Sequence, residues 1–146
     1  IFSKVMQTNI QSNLWLAQLV SPGMKERKDG SIIYISSIGG LRGSDVIGTY
    51  GISKAADMQL TRNLAIELGP SNIRVNCIAP GLVKTDFARA LWEDPNYAEP
   101  RIASTPLKRF GKPEDISGAA VYLASNAGGW ITGQTIVIDG GVTITV

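Results

Sequence analysis

The run Tyr50-Gly51-Ile52-Ser53-Lys54 offers the clearest chemistry in the chain. A tyrosine and a lysine four positions apart share one face of a helix, so the ammonium can sit beside the phenol. An unperturbed phenol titrates near pH ~10 and carries protons poorly at neutrality, whereas a neighbouring cation favours the phenolate. Tyr50 is therefore a candidate general acid/base. The spacing alone is also that of an exposed helix face, so the surrounding residues carry the decision. Ser37 stands thirteen residues upstream, just past a β-branched run. There its hydroxyl either enters a site or closes a turn on its own backbone. Pro80-Gly81-Leu82-Val83-Lys84-Thr85 closes a second such run and brings backbone groups and a hydroxyl, or else an ordinary Pro-Gly turn. Asn9 and Asn13 lie one turn apart on the apolar side of the opening segment. A buried amide must be hydrogen-bonded, either to neighbouring backbone or to an ordered water.

The elements that must position these groups follow from periodicity. Residues 1–24 have helical spacing, with Lys4, Gln7, Gln11 and Gln18 on one narrow sector and apolar residues over most of the rest. An apolar face that broad needs cover on two sides. Ser21-Pro22-Gly23 weakens this helix near its end. Residues 31–36 and 73–78 read as buried strands, 135–138 as a third. Residues 50–68 and 113–124 read as helices, 86–92 as a short one, and 93–106 as a proline-broken loop. Strands alternating with helices of this length build parallel βαβ units with helices on both sheet faces. Active sites in such open sheets lie outside the carboxyl ends of the strands, where Ser37 and the Pro80–Thr85 loop both fall.

Composition removes several other classes. The 146 residues include no histidine, which excludes Ser-His-Asp and Cys-His nucleophile systems and every imidazole metal site; no metal is expected. Cys77 is the only cysteine, so no internal disulfide exists and a reducing, cytoplasmic setting is expected. Fourteen Lys and Arg against twelve Asp and Glu leave a formal charge of +2, too little and too scattered for a nucleic-acid surface. The cluster Lys25, Arg27 and Lys28 reads as the solvated end of a helix. No apolar run approaches the ~18 residues of a membrane span.

Taken in order, Asn9, Ser37, Tyr50 and Lys54, then Pro80-Gly81-x-Val83-x-Thr85 and Thr132-Gly133-Gln134 before Asp139-Gly140-Gly141, resemble the short-chain dehydrogenase/reductase family from Val5 to Gly141. The resemblance implies a Rossmann-like α/β fold and an NAD(P)-dependent oxidoreductase interconverting a carbonyl and a secondary alcohol. Tyr50 would exchange the proton with the substrate oxygen, and Ser37 would hold that oxygen. Lys54 would bind the nicotinamide ribose and favour the Tyr50 phenolate. Asn9, in a helix distorted around it, would hold a water that relays protons to Lys54, whereas Asn13 reads as a structural amide. Pro80, Gly81, Val83 and Thr85 would cradle the carboxamide of NAD or NADP. Phe87, Leu91 and Trp92 resemble a mobile substrate lid, and the broad apolar face of the first helix agrees with a homodimer or homotetramer contact.

The chain departs from the pattern in one respect. The family's T-G-x-x-x-G-x-G phosphate turn has no counterpart here; Gly39-Gly40-Leu41-Arg42-Gly43 and Gly128-Gly129 have the wrong spacing. The expectation is therefore a single α/β domain over residues 1–146, the C-terminal catalytic part of a Rossmann-type enzyme, with about three strands and a first strand left as an open edge. Such a stretch is expected not to fold stably alone. The alternative is a non-catalytic fragment or pseudoenzyme acting as an oligomerising α/β body.

Overall fold

The computed structural model describes residues 1–145. The opening segment is helical as its periodicity requires, in three parts: α1 (Phe2–Met6), a π-helical turn (Gln7–Gln11) and α2 (Ser12–Arg27). Pro22 lies inside α2 without ending it; the helix runs on to Lys28, whose left-handed backbone (φ 53°) stops it. Lys25 and Arg27 occupy its exposed last turn, where cations suit the carbonyl end.

β1 (Gly30–Ile35) and β2 (Ile73–Pro80) pair in parallel, with Ile32 opposite Val75 and Tyr34 opposite Cys77. The crossover between them is α3 (Gly48–Leu68). β3 (Thr135–Ile138) pairs in parallel with the end of β2, giving the order β1-β2-β3 with β1 at an edge among the described residues. Side chains alternate as strand geometry demands. Ile32, Tyr34, Ile73, Val75, Cys77 and Ala79 pack with Ala17 of α2 and with Met58, Leu64, Ala65 and Leu68 of α3. Ser31 faces the other way and its hydroxyl donates to the Leu123 carbonyl (3.0 Å) of α6 (Pro113–Ala124). Helices thus cover both faces, as expected. Leu68, Ile73, Ile78 and Leu123 are fully buried, and each contributes about 1.5–3 kcal/mol of apolar transfer.

Helix α6 begins where its sequence says it should. Pro113 fills the first turn, and the Asp115 carboxylate accepts the Lys112 backbone N–H (2.7 Å). The expectation for residues 93–106 is corrected. After a short α4 (Arg89–Trp92), these residues form a helix, α5 (Pro95–Ser104). Asp94 caps it by accepting the Asn96 N–H (3.0 Å), and Pro95 occupies the first helical position, where a missing N–H costs nothing. Pro100 sits inside and removes only one hydrogen bond from a ten-residue helix.

The second cover expected over the first helix is not provided by this chain. Trp15, Leu16 and Leu19 of α2 stay exposed, Leu19 at 75%. No helix among the described residues is long and apolar enough to cross a membrane.

Candidate active site

The loop after β1 is drawn tightly onto α3. The Ser36 hydroxyl donates to the Lys54 carbonyl (2.7 Å) and the Ser36 N–H to the Ile78 carbonyl (2.7 Å). Gly40 lies so close to α3 that a Cβ there would stand 2.6 Å from the Lys54 carbonyl carbon. Only glycine allows that approach. Ser37 then caps the turn Ile38–Gly40, its Oγ accepting the Gly39 N–H (3.1 Å). The turn-closing role of Ser37 is therefore real, and its O–H remains available as a donor. A Cβ on Gly39 would stand 3.4 Å from Ser37 Oγ and 3.6 Å from Tyr50 Cε1, so the serine hydroxyl and the tyrosine ring flank the same small space. Lys54 Nζ lies 5.7 Å from the centroid of the Tyr50 ring, on the same face of α3. Serine, tyrosine and lysine meet at the carboxyl end of β1.

Behind them runs a polar network between helices. Asn9 lies at the centre of the π-helical turn, and its Nδ2 donates to Ser53 Oγ (2.9 Å). Its carbonyl accepts from Asn13 Nδ2 (2.7 Å), which also donates to Asp57 Oδ1 (2.9 Å). The other Asp57 oxygen accepts from Lys54 Nζ (3.1 Å), and Nζ donates as well to the Ile35 carbonyl (2.9 Å). Asn9 is thus joined to Lys54 through Asn13 and Asp57. Asp57 is 0% exposed. Burial raises its carboxyl from the ordinary carboxylate value, opposed by the Lys54 cation and the Asn13 amide. Tyr34, whose hydroxyl donates to the Asn13 carbonyl (3.1 Å), is pushed up to about 12 by burial and then by the Asp57 charge. Burial, with Asp57 second, also pushes the Cys77 thiol up.

Asp57 escaped the sequence reading. Its signal was present, an acid three residues after Lys54 on the Tyr50 face, but a Lys–Asp pair at that spacing usually marks a solvated surface. Only the tertiary fold shows that this one is buried.

The loop after β2 leaves the same carboxyl edge of the sheet. Val83 bridges Gly111, with Lys84 N–H donating to the Gly111 carbonyl (3.0 Å) and Gly111 N–H to the Leu82 carbonyl (3.0 Å). That pattern turns the N–H and carbonyl of Val83 itself away from Gly111. Gly81 N–H donates to the Ile138 carbonyl (2.9 Å), tying Pro80-Gly81 to β3. The Thr85 hydroxyl accepts the Ala88 N–H (3.3 Å), and the Thr85 carbonyl accepts from Trp92 Nε1 (2.9 Å). A cleft of about 150 Å³ lies beside this loop, lined among others by Gly81, Val83, Arg109, Asp115 and Asp139. Hydrogen bonds from Arg109 hold the Asp115 carboxyl down at about 2. Burial would raise the Asp139 carboxyl, but the N–H groups of Gly141 (2.8 Å) and Thr143 (2.6 Å) hold it below its ordinary value. Ser37, Tyr50 and Lys54 do not line this cleft.

The candidate lid is less committed. Trp92 is anchored through Thr85 and has Lys84 Nζ 5.7 Å from its ring centroid, while Leu91 is 37% exposed. Phe87 is 95% exposed and lines no enclosed surface in this conformation. Among the described residues, no group of three or more Cys, Asp or Glu could hold a metal ion.

The chain is similar to known proteins along nearly its whole length. The family described as enoyl-(acyl carrier protein) reductase matches residues 1–143. Dehydrogenase/reductase SDR family member 4 of Bos taurus is 43% identical over 141 residues, 97% of this chain and 50% of that protein. A gluconate 5-dehydrogenase from Burkholderia cenocepacia J2315, solved with NADP and tartrate, superposes with a TM-score of 0.96 at 32% identity, over 99% of this chain and 57% of that one. A 3-oxoacyl-[acyl-carrier protein] reductase from Brucella melitensis with bound NAD superposes with a TM-score of 0.88 at 32% identity, over 97% of this chain and 51% of that one. The chain spans about half the length of the relatives it matches.

Proposed function

The chain belongs to the short-chain dehydrogenase/reductase family, and from that premise we propose that its protein interconverts a carbonyl and a secondary alcohol with NAD or NADP, Tyr50 serving as general acid/base. The carrying observation is the convergence of Ser37, Tyr50 and Lys54 at the carboxyl end of β1. Residues 1–146 are proposed to be the C-terminal catalytic part of the Rossmann-type domain. The family match does not favour the reading as a non-catalytic oligomerising body.

The residues present fit the nicotinamide end of the cofactor: the Lys54 ammonium on one side, and on the other the Val83 backbone groups, free of the Gly111 pairing, beside Pro80, Gly81 and Thr85. When bound, the cofactor supplies or accepts the hydride. In reduction, Tyr50 Oη donates its proton to the substrate oxygen as that oxygen gains charge; in oxidation it accepts the alcohol proton. Ser37 Oγ donates a hydrogen bond to the same oxygen and fixes it against the phenol. The Lys54 cation stabilises the phenolate left behind and can donate to the ribose. Asn9 steadies the segment behind Lys54 and, in this reading, lends its distorted turn to a water relaying protons towards it. Phe87, Leu91 and Trp92 form the substrate side, whose exposed apolar surface suits an apolar small molecule.

The exposed α2 face, with Trp15, Leu16 and Leu19, supports a homodimer or homotetramer, and the lone buried Cys77 fits a cytoplasmic setting. The test uses the full-length protein that carries this chain. Tyr50→Phe should lower kcat by about 10²–10⁴-fold while cofactor binding, read by fluorescence titration, stays near wild type. Turnover at the wild-type rate in that variant would overturn the proposal.

A further inference from the structure

Lys54 is held from behind by a group whose burial needs a reason. Asp57 is fully enclosed, and a buried carboxylate is costly unless paired and hydrogen-bonded. Its two oxygens are divided: one takes the Asn13 amide of α2 at 2.9 Å, the other the Lys54 ammonium at 3.1 Å. The ammonium is held further by the Ile35 carbonyl at 2.9 Å, and its side chain is only 13% exposed. An apolar residue would fill the same place in a helix-on-sheet contact without this cost. We propose that Asp57 is a positioning residue for the proposed reaction, locking the Lys54 ammonium at the end of β1 and partly cancelling the positive field that reaches Tyr50.

The inference rests on the acid/base reading of Tyr50. The groups facing Asp57 come from every neighbouring element: Lys54 and Thr61 on α3, Asn13 on α2, Tyr34 on β1 and Cys77 on β2. Lys54 is the only cation among them, so no other group substitutes for it in balancing the carboxylate. Two fixed acceptors, Asp57 Oδ2 and the Ile35 carbonyl, take two of the three ammonium donors and leave one to face outward. That geometry aims the last donor instead of leaving a flexible side chain to search for its partner.

The experiment is an ultraviolet difference titration of cofactor-free, full-length protein, with the Tyr50 signal isolated by subtracting a Tyr50→Phe background. Asp57→Asn keeps the shape and removes the negative charge. The Tyr50 phenol should then ionise at a pH lower by about one unit, because an opposing charge nearby has gone. The acidic limb of the alcohol-oxidation profile should move with it. Asp57→Leu, which shares the branched outline and also removes the charge, should shift the phenol in the same direction and serves as a second variant where the asparagine variant does not fold. A folded variant whose phenol ionises at the wild-type pH overturns the inference. Because the titration needs neither cofactor nor turnover, that result would leave the Tyr50 proposal standing. Full activity in Tyr50→Phe would remove that proposal without altering the titration.

Discussion

The floor and the lid of this site are built on opposite plans. The floor, around Ser36, Ser37, Tyr50, Lys54 and Asp57, is tied by bonds between residues far apart in sequence: Asn9 to Ser53 and Asn13 to Asp57, each 44 positions distant, and Ser36 to Lys54 across 18. The lid, from Asp86 to Ser104, is tied almost wholly to itself. Arg89 pairs with Asp86 and with Glu93, Asp94 caps its own helix, and Arg101 stacks 4.0 Å over Tyr97. Floor geometry therefore exists only when the whole fold does, whereas the lid can shift as a unit at small cost. Proton transfer needs groups held to fractions of an ångström, and substrate choice tolerates adjustment.

This contrast can be broken in graded ways. Leu123→Ala, beneath the sheet on the α6 side, should cost about 2–5 kcal/mol in a denaturant titration of the full-length protein, since a fully buried leucine leaves a cavity. A loss below about 1 kcal/mol would show that the sheet does not depend on that packing. Tyr34 gives a smaller effect with a defined pH window. Its phenol is pushed up to about 12 in the fold against about 10 in an unfolded chain, so the folded state favours the neutral form. That contribution is complete below about pH 10 and is lost as pH rises from there through about 12. Tyr34→Phe should flatten this alkaline decline while costing about 1 kcal/mol at neutrality for the bond to the Asn13 carbonyl. An unchanged alkaline slope would contradict the assignment. At the lid, Phe87→Ala should alter stability by less than about 0.5 kcal/mol while changing KM for apolar substrates. A large stability loss would mean that the lid is structural.

The same contrast explains what could be read from the chain beforehand. The strands and long helices were legible because burial imposes periods of 2 and 3.6, and the Tyr50–Lys54 pair because four residues make one helical turn. Local rules misread residues 93–106, where Pro95 and Pro100 looked like breaks. A proline at the first helical position behind an aspartate cap initiates a helix instead. Asp57 was illegible for the opposite reason. Its role depends on Asn13, Tyr34 and Cys77 arriving from three other elements, and no local pattern announces that. The apolar face of α2 was legible as a face needing cover, yet this chain leaves Leu19 bare.

The most direct measurement is a double-mutant cycle on kcat/KM between Tyr50→Phe and Ser37→Ala in the full-length protein. Two hydroxyls acting on one substrate oxygen work as a unit, so the double variant should be little slower than Tyr50→Phe alone. Losses that multiply in full would mean that the two side chains act on separate atoms, and the shared space beside Gly39 would not be where the chemistry occurs.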